Sequence, residues 1–145
     1  MNIRSIEERD VDVILAVQKS SPEIAQWAAL DYARVARSEM AGWVAEESGK
    51  IVGFVIARQI ANDVEVLNLA VRPESRRKGI GTSLLRAALT WGRGFHAEKA
   101  LLEVRASNLA ALRFYERHGF EVSGRRPRYY TAPIEDALLL TIVRP

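Results

Sequence analysis

Apolar positions change their spacing several times along the chain, and each change marks a new element. Residues 2 to 6 read as a short opening strand. From Val11 to Val17, the residues Val11, Ile14 and Leu15 fall at helical spacing and predict a helix. Ser21-Pro22-Glu23 has the composition of a helix start, with Pro22 in the first turn, so a second helix is expected to run to about Met40. The period then drops to two. In GWVAEESGKIVGFVIARQ, two β-rich runs flank Ser48-Gly49, a hairpin signature. The run DVEVLNLAV carries Val64 and Val66, then Leu67, Leu69 and Val71. From Ile80, residues Leu84, Leu85, Ala88 and Leu89 form one apolar helical face. KALLEVRA reads as a buried strand, and SNLAALRFYERHGF as a capped helix ending at Gly119. Residues 120 to 126 and 137 to 143 read as two closing strands. No linker or repeat interrupts the series, which predicts one mixed α/β domain over residues 1 to 145.

Composition narrows the chemistry. At 145 residues and 48% apolar, the chain suits one domain with a real core. No apolar run approaches the ~18 residues of a membrane span. The opening MNIRSIEERD turns charged at once and lacks a signal-peptide core, so a cytoplasmic protein without a membrane partner is expected. The absence of cysteine excludes disulfides, cysteine metal sites and a protein thiol nucleophile. Two histidines without nearby carboxylate spacing make no case for a metal. A net charge of +3 suits an anionic cofactor without demonstrating nucleic-acid binding.

One junction invites an anion. The strand ends near Val71, Pro73 stops it, and Arg76-Arg77-Lys78-Gly79-Ile80-Gly81 leads into a helix. A helix start has unpaired N–H groups and partial positive charge, and glycines let an anion approach the backbone. Neither GxxxxGK[ST] nor GxGxxG fits, because Leu84 stands where a third glycine would be needed. Spacing alone leaves two readings open: a phosphate cradle, or a glycine turn with solvated cations.

Arg76-x-x-Gly79-x-Gly81, after a strand and opening a helix, resembles the [QR]-x-x-G-x-[GA] signature of GNAT acyltransferases. Downstream, LEVRASNLAALRFYERHGF (102 to 120) is similar to the segment characteristic of ribosomal-protein-alanine N-acetyltransferases of the RimI type. RRPRYYTAPIEDALLL (125 to 140) resembles the closing hairpin of that family, with its paired tyrosines. The resemblance implies an α/β (α+β) fold with a mixed, mostly antiparallel sheet of about seven strands and four helices on both faces. It implies acetyl transfer from acetyl-CoA to a protein N-terminal α-amine, ideally the N-terminal alanine of a small-subunit ribosomal protein, in a direct ternary complex. A GNAT enzyme acting on a polyamine or antibiotic, and a non-enzymatic CoA-binding or RNA-associated module, are the alternatives.

The resemblance also implies roles. The loop Arg76, Arg77, Lys78, Gly79, Ile80, Gly81 and Thr82 would bind the pyrophosphate, and Asn108 would contact the cofactor. The main chain of Leu69, Ala70 and Val71 would pair with the pantetheine arm. Glu103 would accept a proton and Tyr115 would donate one, while Trp27, Tyr129 and Tyr130 would wall the acceptor groove. Chemistry supports the division of labour. An α-amine with pKa about 8 costs only ~1.4 kcal/mol to deprotonate at pH 7, against ~4.6 for a lysine. A phenol near 10 can protonate a thiolate of pKa ~8.5 slightly uphill.

Each residue also has a plainer reading. Glu103, interrupting the apolar Leu101-Leu102-Glu103-Val104, could be a solvated strand-end glutamate or a partner of Arg105. Tyr115 could be a core aromatic beside Phe114 and Phe120, and Asn108 a helix cap with Ser107. His118 reads as a helix C-terminal residue, His96 as solvated, and Glu46-Glu47 as a solvated pair. Arg125-Arg126-Pro127-Arg128-Tyr129-Tyr130 interleaves cations with aromatics, which suits RNA as well as a groove wall. Trp27 lacks the proline before it and the serine after it that the family carries. The connection from Thr131 to Asp136 is also short, so the departures gather on the acceptor side.

Overall fold

The alternating runs become seven strands of one sheet in the computed structural model, which describes residues 1–35 and 40–145. In chain order they are β1 (Asn2–Ser5), β2 (Met40–Glu47), β3 (Lys50–Ile60), β4 (Asp63–Val71), β5 (Lys99–Arg105), β6 (Glu121–Thr131) and β7 (Ile134–Val143). Their spatial order is β1-β2-β3-β4-β5-β7-β6. Every neighbouring pair is antiparallel except β4 and β5.

Four helices cover the two faces: α1 (Val11–Lys19), α2 (Ala29–Val35), α3 (Ile80–Gly94) and α4 (Leu109–Arg117). On one face, Ile80, Leu84, Leu85 and Ala88 of α3 and Leu112 and Tyr115 of α4 pack on Val55, Val64, Val66, Ala100, Leu102 and Val104. On the other, Ile14 and Val17 of α1 and Tyr32 and Val35 of α2 pack on Val44, Phe54, Ile56 and Ala70. The apolar stripe at 84, 85, 88 and 89 is thus the buried side of α3, and burying each leucine contributes about 1.5–3 kcal/mol.

Two sequence expectations need correction. Ser21-Pro22-Glu23 does not open a helix; α2 begins eight residues later, at Ala29. The intervening backbone is claimed by side chains. Gln18 accepts the Trp27 N–H and donates to the Trp27 carbonyl, both at 3.0 Å. Asp31 then caps the true start by accepting the Ala28 N–H at 2.9 Å. Met40 opens β2, opposite Arg58, and residues 36–39 of the expected helix lie outside the described residues. The closing strands are also longer than 120 to 126 and 137 to 143. Their pairing continues to Thr131↔Ile134, so only Ala132 and Pro133 connect them.

Two irregularities shape the middle of the sheet. Opposite Ile56 and Ala57, β4 carries one extra residue, because Ile56 pairs with Asn68 and Ala57 with Val66. This bulge at Leu67 turns both Leu67 and Asn68 toward the α1–α2 face. The parallel pairing of β4 with β5 spans only Val64↔Ala100 and Glu65↔Leu101. Beyond it, β4 follows β3 as far as Gly53↔Val71, while β5 follows β7 as far as Arg105↔Ala137. The sheet therefore forks, and among the described residues the β5-side edge of β4 has no partner strand from Val66 onward.

Candidate active site

A cleft of about 1120 Å³ opens at the fork. Leu67, Asn68 and Leu69 line it from β4, Glu103 from β5, and Asn108 and Tyr115 from α4. Trp27 closes one side, and Arg126, Tyr129 and Tyr130 of β6 the other. These residues come from five separated segments of the chain.

Glu103 reaches the cleft by strand parity. Ala100, Leu102 and Val104 point into the α3–α4 core, so Leu101, Glu103 and Arg105 point the other way. The Glu103 side chain is 16% exposed, and Oε1 lies 3.4 Å from Arg126 Nε. Its Oε2 is buried and, among the described residues, has no hydrogen-bond partner. An orphaned carboxylate oxygen is costly, and such costs are tolerated where a ligand supplies the missing partner.

Tyr115 is 7% exposed, with its ring edge-on to Phe114 and Phe120 at centroid separations of 5.1 and 5.6 Å. The two readings of this residue merge: it is core and cleft at once. Burial pushes its phenol above the ordinary value. It therefore stays protonated at neutral pH, with full proton release further uphill than the bare phenol value suggests. Asn108 is the α4 cap, its Oδ1 accepting the Ala111 N–H at 3.2 Å, and it lines the cleft as well.

The glycine loop lies past the other end of the free β4 edge and is not among the cleft-lining residues. Gly79 is the residue before α3, at φ +80, and no side chain caps the helix start. A Cβ on Gly79 would meet nothing within 4 Å, whereas one on Gly81 would touch the Phe114 ring at 3.4 Å. The loop cations differ in availability. Arg76 is half-exposed but tied back, donating from Nε to the Val71 carbonyl at 3.0 Å and from Nη2 to Ser21 Oγ at 2.9 Å. Its side chain braces the loop against Val71 and Ser21. Lys78 lies 3.6 Å from Glu47, and Arg77 is exposed. The Thr82 hydroxyl meets His118 Nε2 at 3.0 Å, while His118 Nδ1 donates to the Phe114 carbonyl at 2.8 Å. His118 thus ties α4 to α3 and is structural. His96 is exposed, and Glu46 and Glu47 contact different cations, Arg4 and Lys78.

Trp27 stands beside Tyr32 at a ring separation of 5.2 Å. Beneath it runs a buried polar chain that the hydrophobic pattern does not reveal. The Tyr32 hydroxyl donates to Gln18 Oε1, and Asn68 Nδ2 donates to the Tyr32 oxygen and the Ala25 carbonyl, each at 3.0 Å. Asn68, 5% exposed on the bulge, anchors the segment carrying Trp27. A lone asparagine within VEVLNLAV was the available signal.

On the opposite wall, the Tyr129 and Tyr130 rings are 5.1 Å apart. The Arg105 guanidinium sits 4.3 Å above Tyr130, and that of Arg126 sits 5.7 Å from Tyr129. The negative charge of Glu103 is the main cause of a raised Tyr129 phenol. Burial, then the same charge, raises Tyr130. Their position depends on a second bulge, where Arg126↔Ala137 is followed by Tyr130↔Glu135. Asp136 staples it: Oδ1 accepts the Arg128 N–H at 2.9 Å and Oδ2 accepts Arg125 Nε at 2.6 Å. The Arg128 N–H and the Arg125 side chain hold the Asp136 carboxyl below its usual range. Arg125 is held by Asp136, Arg126 lies against Glu103 and Arg105 against Tyr130, so each of these cations has a partner within the hairpin or the cleft.

Among the described residues, no group of three or more His, Asp or Glu side chains could hold a metal, and no helix is long and apolar enough to cross a membrane.

The chain matches the family model described as Acetyltransferase (GNAT) family over residues 8–120. It is 28% identical over 142 residues to the ribosomal protein bS18-alanine N-acetyltransferase of Escherichia coli K12, covering 97% of this chain and 95% of that one. It is 35% identical over 115 residues to an N-alpha-acetyltransferase of Sulfurisphaera tokodaii, covering 70% and 68%. The crystal structure of the ribosomal-protein-S18-alanine N-acetyltransferase from Escherichia coli superposes with a TM-score of 0.86 at 27% identity, covering 98% of this chain and 92% of that one.

Proposed function

Because the chain belongs to the GNAT acetyltransferase family and is an acetyl-CoA-dependent N-acetyltransferase, we propose that it acetylates protein N-terminal α-amines, with Glu103 as proton acceptor and Tyr115 as proton donor. The observation that carries this reading is the meeting of the two in one cleft, with Glu103 Oε2 buried and unpartnered.

The residues present suit acetyl-CoA. The uncapped α3 start beside the open space at Gly79 offers N–H groups to a pyrophosphate. The unpaired β4 edge offers the Leu69 main chain to an amide-bearing arm, because Ala70 faces β3 in the ladder and the Val71 carbonyl is already taken by Arg76. Acetyl-CoA supplies the activated thioester. Glu103 takes the proton from the acceptor ammonium, directly or through one water, and the low exposure of the cleft floor strengthens that interaction. Tyr115 holds its proton at neutral pH and donates a hydrogen bond where thiolate charge develops. With no cysteine to carry an acetyl group, transfer is direct within a ternary complex.

Similarity to bS18-alanine acetyltransferases supports a ribosomal protein with an N-terminal alanine as acceptor. The test is turnover of acetyl-CoA with peptides varied in their first residues, alongside free lysine and polyamines. Alanine-starting peptides are expected to lead, and transfer confined to polyamines would overturn the reading. A stable acetyl-enzyme seen by intact mass, competent to pass its acetyl on, would overturn the direct mechanism.

A further inference from the structure

Arg126 is a surface residue that reaches inward. Its side chain is 56% exposed, yet Nε lies 3.4 Å from Glu103 Oε1. The other oxygen of the same carboxylate is buried without a partner among the described residues. Two of the other three cleft arginines have different companions, Arg58 pairing with Glu65 at 2.7 Å and Arg105 with Glu135 at 3.5 Å, and no ion pair joins the third, Arg34, to Glu103 among the described residues. Among the described residues, Arg126 is thus the cation that covers the outward oxygen of Glu103.

An amine acceptor arrives at neutral pH mainly as an ammonium. It carries the charge of a guanidinium and needs the same carboxylate. Even with the ammonium on Oε2 and Arg126 on Oε1, the two cations on adjoining oxygens of one carboxylate would face each other's positive charge at close range, so each weakens the other's hold. Arg126 is also held lightly. It stands where the register of β6 breaks, on the edge strand of the sheet, with its guanidinium against the half-exposed ring of Tyr129. Exposed ion pairs are weak, so an ammonium can replace this one.

On the reading of Glu103 as proton acceptor, we propose that Arg126 is an internal competitor for the acceptor ammonium, compensating Glu103 in the free enzyme and leaving it when the acceptor docks. The exchange is cation for cation, so the half-buried carboxylate is never uncompensated. Arg126 therefore sets the apparent affinity for the acceptor.

Binding without chemistry tests this. The whole chain is saturated with CoA, which has no acetyl group to transfer, and titrated calorimetrically with an alanine-starting peptide. Arg126→Gln is expected to tighten the peptide about two- to fivefold, the weight of a partly exposed ion pair. Arg126→Lys is expected to retain the wild-type affinity. In a Glu103→Gln background, Arg126→Gln is expected to change nothing, because the contested carboxylate has lost its charge. Unchanged or weaker peptide binding in Arg126→Gln would overturn the proposal, as would a gain that persists without the Glu103 charge. Failure of the base assignment would appear elsewhere, as undiminished turnover of Glu103→Gln.

Discussion

The two ends of the free β4 edge are built by opposite means. At the loop end, residues 69 to 82 are continuous in sequence, and what they offer a ligand is main chain: an uncapped helix start, a glycine at φ +80 and an unpaired strand edge. Even Arg76, the most conspicuous cation there, spends its side chain on Val71 and Ser21. At the cleft end, Gln18, Trp27, Asn68, Glu103, Tyr115 and Arg126 come from separate elements, and what they offer is side chain. A main-chain site is local, so few substitutions break it. A side-chain site depends on every element that carries a part.

Substitutions at the two ends should accordingly separate chemistry from cofactor binding. The largest effect is expected at the cleft. Glu103→Gln and Tyr115→Phe should each lower kcat by about 100-fold or more, the usual weight of a general acid or base, while CoA still stabilises the protein. The Glu103→Gln deficit should be greatest at low pH, where the amine most needs deprotonating, and that of Tyr115→Phe should be uniform. Two pH–rate profiles decide it, and near-wild-type turnover in both mutants would reduce these residues to packing.

Gly79→Val should do the reverse. A β-branched side chain at φ +80 is strained, and its bulk enters the open space before α3. At CoA 100-fold above Kd, the wild type should gain about 2.7 kcal/mol, seen as a raised melting midpoint. The mutant should lose that gain. A retained shift would move the cofactor away from this loop.

Asn68→Ala should expose how far the cleft depends on remote support. It leaves the Tyr32 oxygen and the Ala25 carbonyl without their buried donor, at a cost of about 1–3 kcal/mol. Acceptor KM is expected to rise as the Trp27 segment loosens, with the CoA-induced melting shift preserved. Loss of both would mean that the two ends are not separable.

The smallest effect concerns Asp136. Its carboxyl is held below the ordinary value by the Arg128 N–H and Arg125, so its contribution is present above the unfolded value of about 3.9. It is lost as pH falls through the lower folded value. Acceptor affinity should be indifferent to this group from pH 5 to 8, and Asp136→Asn should weaken the acceptor a few-fold without altering CoA binding. Tyrosine fluorescence of the hairpin below pH 4 provides the check.

Much of the framework was legible in the chain because periodicity reports local conformation directly. The opening strand, the Ser48-Gly49 hairpin, the α3 stripe and the Gly119 helix end all follow from spacing and turn chemistry. So does a trace of the β4 bulge, whose extra residue falls where Val64 and Val66 give way to Leu67 and Leu69. The second helix was misplaced because its backbone partners are side chains: Gln18 at Trp27, and Asp31 at Ala28. A start signal at Ser21-Pro22-Glu23 says nothing of a competitor in α1.

By itself, then, the sequence determined what is local: the elements, their buried faces, and a glycine loop whose chemistry lies in its own backbone. Tertiary structure alone decided where β4 and β5 part, and with that which carboxylate is left with an orphaned oxygen. It alone brought Tyr115 and Glu103 to one cleft, placed Arg126 on that carboxylate, and hung the tyrosine wall from Asp136. The reason is physical. A backbone site needs only the φ, ψ and hydrogen-bonding deficit of adjoining residues. A side-chain site needs distances between atoms far apart in the chain, and those exist only once the sheet has formed.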